Sequence, residues 1–265
     1  GTSDKLVITA GGGTSLLTSI SAIETYEISG TTSSTTMTLV QGNAADGATL
    51  TIDGSSLTTG VLTVDAEADT DGKIVITGGA GDDQITGSAS DNGDSLTGNA
   101  GADTFTFATE DFSSIDTVSG GAGTDIVSLS NDNTVIDADF TNVTNVETLT
   151  SADDKDSTFT LSSLAAAAGI STVTLAGEAS LDSDSVTIQA GFTNNLTVNL
   201  DDDANVGNVV DATNYTKTLT IVADDDELAT NISTLTGGTG TADEIQLTAV
   251  NETIAAAQMA KISAF

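Results

Sequence analysis

Three stretches of this chain place glycines and an aspartate at one spacing: GGAGDDQIT (Gly78–Thr86), GNAGADTFT (Gly98–Thr106) and GGAGTDIVS (Gly120–Ser128). Each fits G-G-x-G-x-D-x-U-x, where U is a large apolar residue; this is the nine-residue calcium-binding repeat of parallel β-helices. The chemistry is that of hard oxygen ligands. The glycines (Gly78, Gly79 and Gly81; Gly98 and Gly101; Gly120, Gly121 and Gly123) let the backbone take positive φ and turn carbonyl oxygens toward an ion. Asp83, Asp103 and Asp125 supply charge, and Ile85, Phe105 and Val127 or Ile126 enter the core. The copies begin 20 and 22 residues apart, close to the two nine-residue units that make about one coil. They are therefore expected to stack on one edge of a solenoid, one copy per coil. Stacked carboxylates repel. A divalent cation between Asp83 and Asp103, and another between Asp103 and Asp125, is the expected remedy, because Ca2+ takes about six to eight oxygens and two loops can share one ion.

GSASDNGDSLT (Gly87–Thr97) starts nine residues after Gly78 and falls on the opposite edge. Asp91 and Asp94 are its candidate ligands, answered by Asp116 one coil later. GGTGTADEIQ (Gly237–Gln246) has one residue inserted before Asp243 and reads as a plain turn. Asp201–Asp203 and Asp224–Asp226 share one phase; without glycines beside them they read as a solvated corner rather than a further ion site.

Composition narrows the chemistry. The net charge is −34, with 39 acidic residues against five lysines. Nucleic acid is excluded as a partner, since phosphate binding needs a basic surface, and an anionic membrane repels such a chain. With no histidine or cysteine, neither a Ser-His-Asp nor a Cys-His arrangement can form, and metal ligands reduce to carboxylates, carbonyls and hydroxyls. No disulfide can staple the chain, and ion binding can take that role. Aromatics are 3% of the residues, too few to line a sugar-stacking cleft. The chain is expected not to be an enzyme.

The elements that position these residues follow from periodicity. EISG (Glu27–Gly30), TIDG (Thr51–Gly54) and VITG (Val75–Gly78) recur every 24 residues; VTLAGE (Val173–Glu178), LTVNLDDD (Leu196–Asp203) and LTIVADDD (Leu219–Asp226) recur every 23. Apolar residues alternate with Thr or Asn within them, the period of a half-buried strand. Fixed self-similarity of this length marks a repeat architecture. The expected fold is all-β: a right-handed parallel β-solenoid of about 12 coils with short helical interruptions. One is expected at Leu161–Ala168, capped by Ser162 or Ser163 and ended by Gly169, and another at Thr253–Ile262. No linker is evident, so residues 1–265 read as one continuous solenoid, with the calcium coils at about 75–130. The longest apolar runs fall far short of the roughly 20 residues of a membrane span. Gly1 lies in mid-pattern, which reads as a fragment of something longer.

The nonapeptides of residues 78–128 resemble the repeats-in-toxin (RTX) family of bacterial type I secretion substrates. ISAIETYEIS (Ile20–Ser29) and VTNVETLTS (Val143–Ser151) are similar to coil starts of bacterial surface-layer proteins. The resemblance implies a secreted, calcium-dependent β-solenoid at the cell surface. It implies assembly with copies of itself into a lattice or fibre, and cell-surface polysaccharide as a further partner. The RTX catalytic domains and hydrophobic pore-forming regions have no counterpart here. A second expectation is an adhesin segment, or a face binding glycan or ice through a threonine ladder. No strict T-x-T column is evident in the sequence, so that reading stands second.

Overall fold

The strands follow from alternation. Sequences such as TYEIS, KIVIT and TVTL put β-branched residues on a pleated surface. Every second side chain is buried, giving the repeated half-buried and buried pattern. A computed structural model describes residues 4–11, 14–18, 20–108, 111–131, 133–151, 156–176, 184–200, 208–223, 234–240, 242–248, 259 and 262–265. In chain order the strands are Lys5–Thr9 (β1), Thr14–Leu16 (β2), Thr25–Ser29 (β3), Thr35–Thr38 (β4), Thr49–Asp53 (β5), Leu62–Asp65 (β6), Lys73–Thr77 (β7), Gln84–Thr86 (β8), Ser95–Ala100 (β9), Thr104–Phe107 (β10), Thr117–Ala122 (β11) and Ile126–Leu129 (β12). They continue as Asn133–Val135 (β13), Val143–Thr144 (β14), Thr148–Thr150 (β15), Ser157–Leu161 (β16), Thr172–Leu175 (β17), Ser185–Ile188 (β18), Leu196–Leu200 (β19), Val209–Asp211 (β20), Leu219–Ala223 (β21), Thr234–Thr236 (β22), Glu244–Leu247 (β23) and Ile262–Ser263 (β24). The fold is a parallel β-solenoid, as the repeats predict.

Two compact units divide the chain: Gly1–Ser128 with Asn142–Val146, and Leu129–Thr141 with Glu147–Phe265. In the first, each coil gives one strand to each of two parallel sheets. One sheet runs β1-β3-β5-β7-β9-β11-β14 and the other β2-β4-β6-β8-β10-β12. Their buried faces stack like on like. Tyr26 lies over Ile52, Ile52 over Ile76, Ile76 over Leu96 and Leu96 over Val118, all five without solvent exposure. On the second sheet Met37, Val64, Ile85 and Phe105 form the matching column. In the second unit the sheets are β15-β17-β19-β21-β23 and β13-β16-β18-β20-β22-β24. Their columns are Leu149–Val173–Val198–Ile221 and Phe159–Val186–Val210–Leu235. Each fully buried aliphatic side chain contributes about 1.5–3 kcal/mol of transfer free energy.

The register is not the fixed period of the sequence. A 24-residue step aligns Ile28 with Ile52, yet Tyr26 is the partner of Ile52. A 23-residue step aligns Val173 with Leu196, yet its partner is Val198. Both slips are of two residues. A slip of one would turn the apolar set to solvent, whereas two keeps it inward.

The alanine-rich helix spans Ser163–Ala168 (α1) and ends at Gly169, whose φ of +115° closes it as the sequence predicts. It starts later than expected, because Leu161 is the last residue of β16 and its side chain is buried. Ser162 occupies the N-cap without a side-chain cap bond. The cap comes from the preceding coil: Asp137 Oδ1 accepts the Ser162, Leu164 and Ala165 N–H groups at 2.8, 3.1 and 2.9 Å. The other expected helix, Thr253–Ile262, lies mostly outside the described residues, and Ile262 belongs to β24. Asp201–Asp203 and Asp224–Asp226 also lie outside them. Among the described residues no helix is long and apolar enough to cross a membrane. Asp137→Ala is expected to cost about 1 kcal/mol, the usual value of a lost N-cap, read as a lower urea midpoint with unchanged slope.

Candidate functional site: stacked carboxylate columns

The three nonapeptide aspartates stack in consecutive coils on one edge, each immediately before its strand. Asp83, Asp103 and Asp125 are fully buried. Their first oxygens all do the same thing. Asp83 Oδ1 accepts the Leu62 N–H at 2.7 Å, Asp103 Oδ1 the Asp83 N–H at 2.7 Å, and Asp125 Oδ1 the Asp103 N–H at 2.8 Å. Each carboxylate thus closes the coil before its own. The predicted ladder of like charges is present, and backbone N–H dipoles separate its members.

Small residues make room for it. A Cβ on Gly78, Gly98 or Gly120 would collide with the carboxylate of its own repeat. Gly101 has φ +123°, and a side chain there would strike the Gly81 carbonyl of the coil above. Asn99 stands where the other copies have their second glycine. It takes φ +78°, a conformation asparagine tolerates, and its Nδ2 donates to Gly78 O at 2.8 Å. Val127, not Ile126, is the core residue of the third copy.

The opposite edge carries a second column. Asp94 Oδ1 accepts the Ile74 N–H at 3.1 Å, and Asp116 Oδ1 accepts the Asp94 N–H at 2.8 Å. Their second oxygens close local turns, on the Ser88 N–H at 2.6 Å and the Ser113 N–H at 2.9 Å. Asp94 and Asp116 are brought together as predicted; Asp91 is exposed and lies outside this column.

The second unit repeats the device, at Asp184 and Asn208, which the sequence did not single out, and at Asp243, whose stretch reads as a plain turn. Asp184 Oδ1 accepts the Ser157 N–H at 2.6 Å, and Asn208 Oδ1 accepts the Asp184 N–H at 3.1 Å. The stretch read as a plain turn uses the contacts of Asp83: Asp243 Oδ1 accepts the Leu219 N–H at 2.9 Å and Oδ2 the Gly238 N–H at 2.8 Å. A tetrapeptide signal exists for the whole set. Asp or Asn stands one residue before an x-U step of a strand in DQIT, DSLT, DTFT, DTVS, DIVS, DSVT, NVVD and DEIQ.

Burial sets the electrostatics. Desolvation pushes Asp94 and Asp103 up to about 6, against the N–H bonds that favour their charge, and the neighbouring carboxylates of Asp116, and of Asp83 and Asp125, add to the rise. It raises Asp83 and Asp116 too. Asp111 is also held at about 6, by burial first and then by the nearby Asp116, Glu67, Asp94 and Asp91.

The second oxygens differ between copies. Asp83 Oδ2 accepts the Gly79 N–H at 2.6 Å. Asp103 Oδ2 is buried and has no hydrogen-bond partner. It faces the space where a Gly98 side chain would stand, and the Gly120 carbonyl oxygen lies 2.8 Å from that point. Both of these oxygens are acceptors. The pair fits a hard cation chemically, because carboxylate and carbonyl oxygens are the ligands such an ion prefers. Among the described residues no three carboxylates converge on one point, so backbone carbonyls must complete any such shell. No protein-family model, curated protein or solved structure matches this chain.

Two outcomes follow. The folded state holds Asp94 and Asp103 at about 6, and the unfolded chain near the ordinary value of about 4. Between these the folded state binds more protons. In chelator, thermal stability should therefore rise as pH falls through 6, with the gain complete below about pH 4. Second, Asp103→Ala leaves the Asp83 N–H unsatisfied and should cost about 1–3 kcal/mol. Asp103→Asn keeps the acceptor, as Asn208 does naturally, places an N–H2 toward the Gly120 carbonyl and removes the buried charge. In chelator at pH 7 it should melt above the parent chain.

Proposed function

We propose that this chain is a calcium-dependent structural β-solenoid of the bacterial cell surface, a surface-layer or extracellular-fibre subunit of RTX type that folds and associates with its own copies on binding Ca2+. The observation that carries the proposal is the buried, hydrogen-bond-free Asp103 Oδ2, with Asp103 stacked between Asp83 and Asp125 and the Gly120 carbonyl oxygen on the same side. Asp83, Asp103 and Asp125, with carbonyls of the glycine loops, would hold the ion; Asp94 and Asp116 would serve the opposite edge. Bound there, the cation supplies positive charge where burial alone disfavours the carboxylates.

The net charge supports the same reading. At −34, self-repulsion opposes compaction where calcium is scarce. Where calcium is plentiful, ion binding adds to folding free energy directly. That coupling suits export of an unfolded chain by a type I route and folding outside the cell. Cell-surface polysaccharide is the further partner the reading implies.

The test is a calcium titration from EGTA to millimolar Ca2+, followed by circular dichroism and light scattering together. The β signal should rise first and scattering second, and Asp103→Asn should blunt the response to calcium while remaining folded in EGTA. A parent chain whose β signal, melting temperature and scattering ignore calcium would overturn the proposal.

A further inference from the structure

The edge that carries Asp83, Asp103 and Asp125 has two interspaces. One lies between the Gly78 and Gly98 coils, the other between the Gly98 and Gly120 coils. The repeat pattern treats them alike, with a cation in each. The structure does not.

In the first interspace, two acceptors beside the head glycine already hold protein donors. Asp83 Oδ2 accepts the Gly79 N–H at 2.6 Å. The Gly78 carbonyl oxygen accepts Asn99 Nδ2 at 2.8 Å. That amide comes from the next coil, so it bridges the interspace as a shared cation would. The second interspace has no counterpart of either bond. Asp103 Oδ2 is buried without a hydrogen-bond partner. The residue paired with Asn99 one coil later is Gly121, which has no side chain to donate. None can be placed there: Gly121 has φ +117°, and a Cβ would collide with the Asn99 carbonyl oxygen. The backbone at residue 99 does not demand asparagine either. Its φ of +78° is one glycine adopts freely, and glycine fills this position in the other two copies. What asparagine adds is the amide.

We propose that the Asn99 carboxamide stands in for a calcium ion in the first interspace, so that this edge binds one ion, at Asp103, rather than two. The role rests on the calcium reading proposed above and goes beyond it in saying which interspace holds the ion and which residue decides. An ion in the first interspace would have to break the Asn99 and Gly79 bonds before it gained the Gly78 carbonyl and Asp83 Oδ2 as ligands. Ca2+ needs about six to eight oxygens, so two withheld ligands are a large part of its shell. At Asp103 Oδ2 there is no bond to break, and a buried charge without a partner gains most from a counter-ion. Asn99 thus sets the number of ions without touching one. It is exposed, so its amide closes the interspace from the rim and can be replaced without opening the core.

The test counts calcium ions bound per full chain by native mass spectrometry, with circular dichroism verifying β structure in every variant. Differences between variants cancel whatever the opposite edge holds. Asp103→Asn should bind one ion fewer than the parent. Asn99→Gly should bind one ion more, and its melting temperature should gain more from calcium than the parent's does. Should Asn99→Gly fail to fold, Asn99→Asp, which cannot donate to the Gly78 carbonyl and adds an oxygen ligand, must show the same extra ion. A folded Asn99→Gly chain with the parent's ion count, while Asp103→Asn is still one short, overturns the role of Asn99 and leaves the calcium reading standing. Loss of two ions in Asp103→Asn also overturns it, because both interspaces are then filled in the parent. A parent chain that binds no more calcium than Asp103→Asn overturns the calcium reading at this edge and the role of Asn99 with it.

Discussion

A buried carboxylate must find compensation, and in this solenoid the compensation comes from the next coil. The residue directly above each column aspartate offers an N–H that no strand partner takes, and the short aspartate side chain reaches it at 2.7–2.8 Å along the first edge. The bond runs one way: the later coil always closes the earlier one. It is not enough by itself to hold the charge, since Asp94 and Asp103 stay near 6 despite it. Glycine at the head of each repeat follows from the same constraint, because any larger residue would occupy the space of the carboxylate.

Much of this was legible in the sequence. The glycine-aspartate spacing located the stacked coils, and period-2 alternation located the strands. The apolar position of each repeat named the core residues, with Val127 chosen over Ile126 only by the structure. What the sequence hid is register. Coils vary in length, with spacings of 24, 25 and 23 residues between successive partners in one sheet, and a fixed-period alignment misses the true partners of Tyr26 and Val198. The Asp184–Asn208 pair was missed because neither member has the glycines five and two positions ahead that mark Asp83 and Asp103, although its place one residue ahead of a strand was visible. The Asp137 cap was illegible, since it joins residues 25 to 28 positions apart that only the coil brings together.

The proposed calcium response and the hydrogen-bonded columns describe one balance. Asp83 has two N–H donors and Asp103 has one, so the need for a cation is unequal along the edge and greater at Asp103 than at Asp83. Where asparagine replaces aspartate, as at Asn208, the coil is closed with no charge to compensate. A chain can thus keep one stacking device throughout and place ion dependence only where the acid is retained.

The most direct measurement is amide hydrogen exchange at Asp83, compared between the parent chain, Asp103→Asn and Asp103→Ala in the same buffer. If coil-to-coil carboxylate bonds hold the solenoid together, the Asp83 amide is protected in the parent and the asparagine variant and exchanges rapidly in the alanine variant, while core amides such as Ile52 stay slow in all three. Equal protection of Asp83 in the parent and alanine variants would contradict the account.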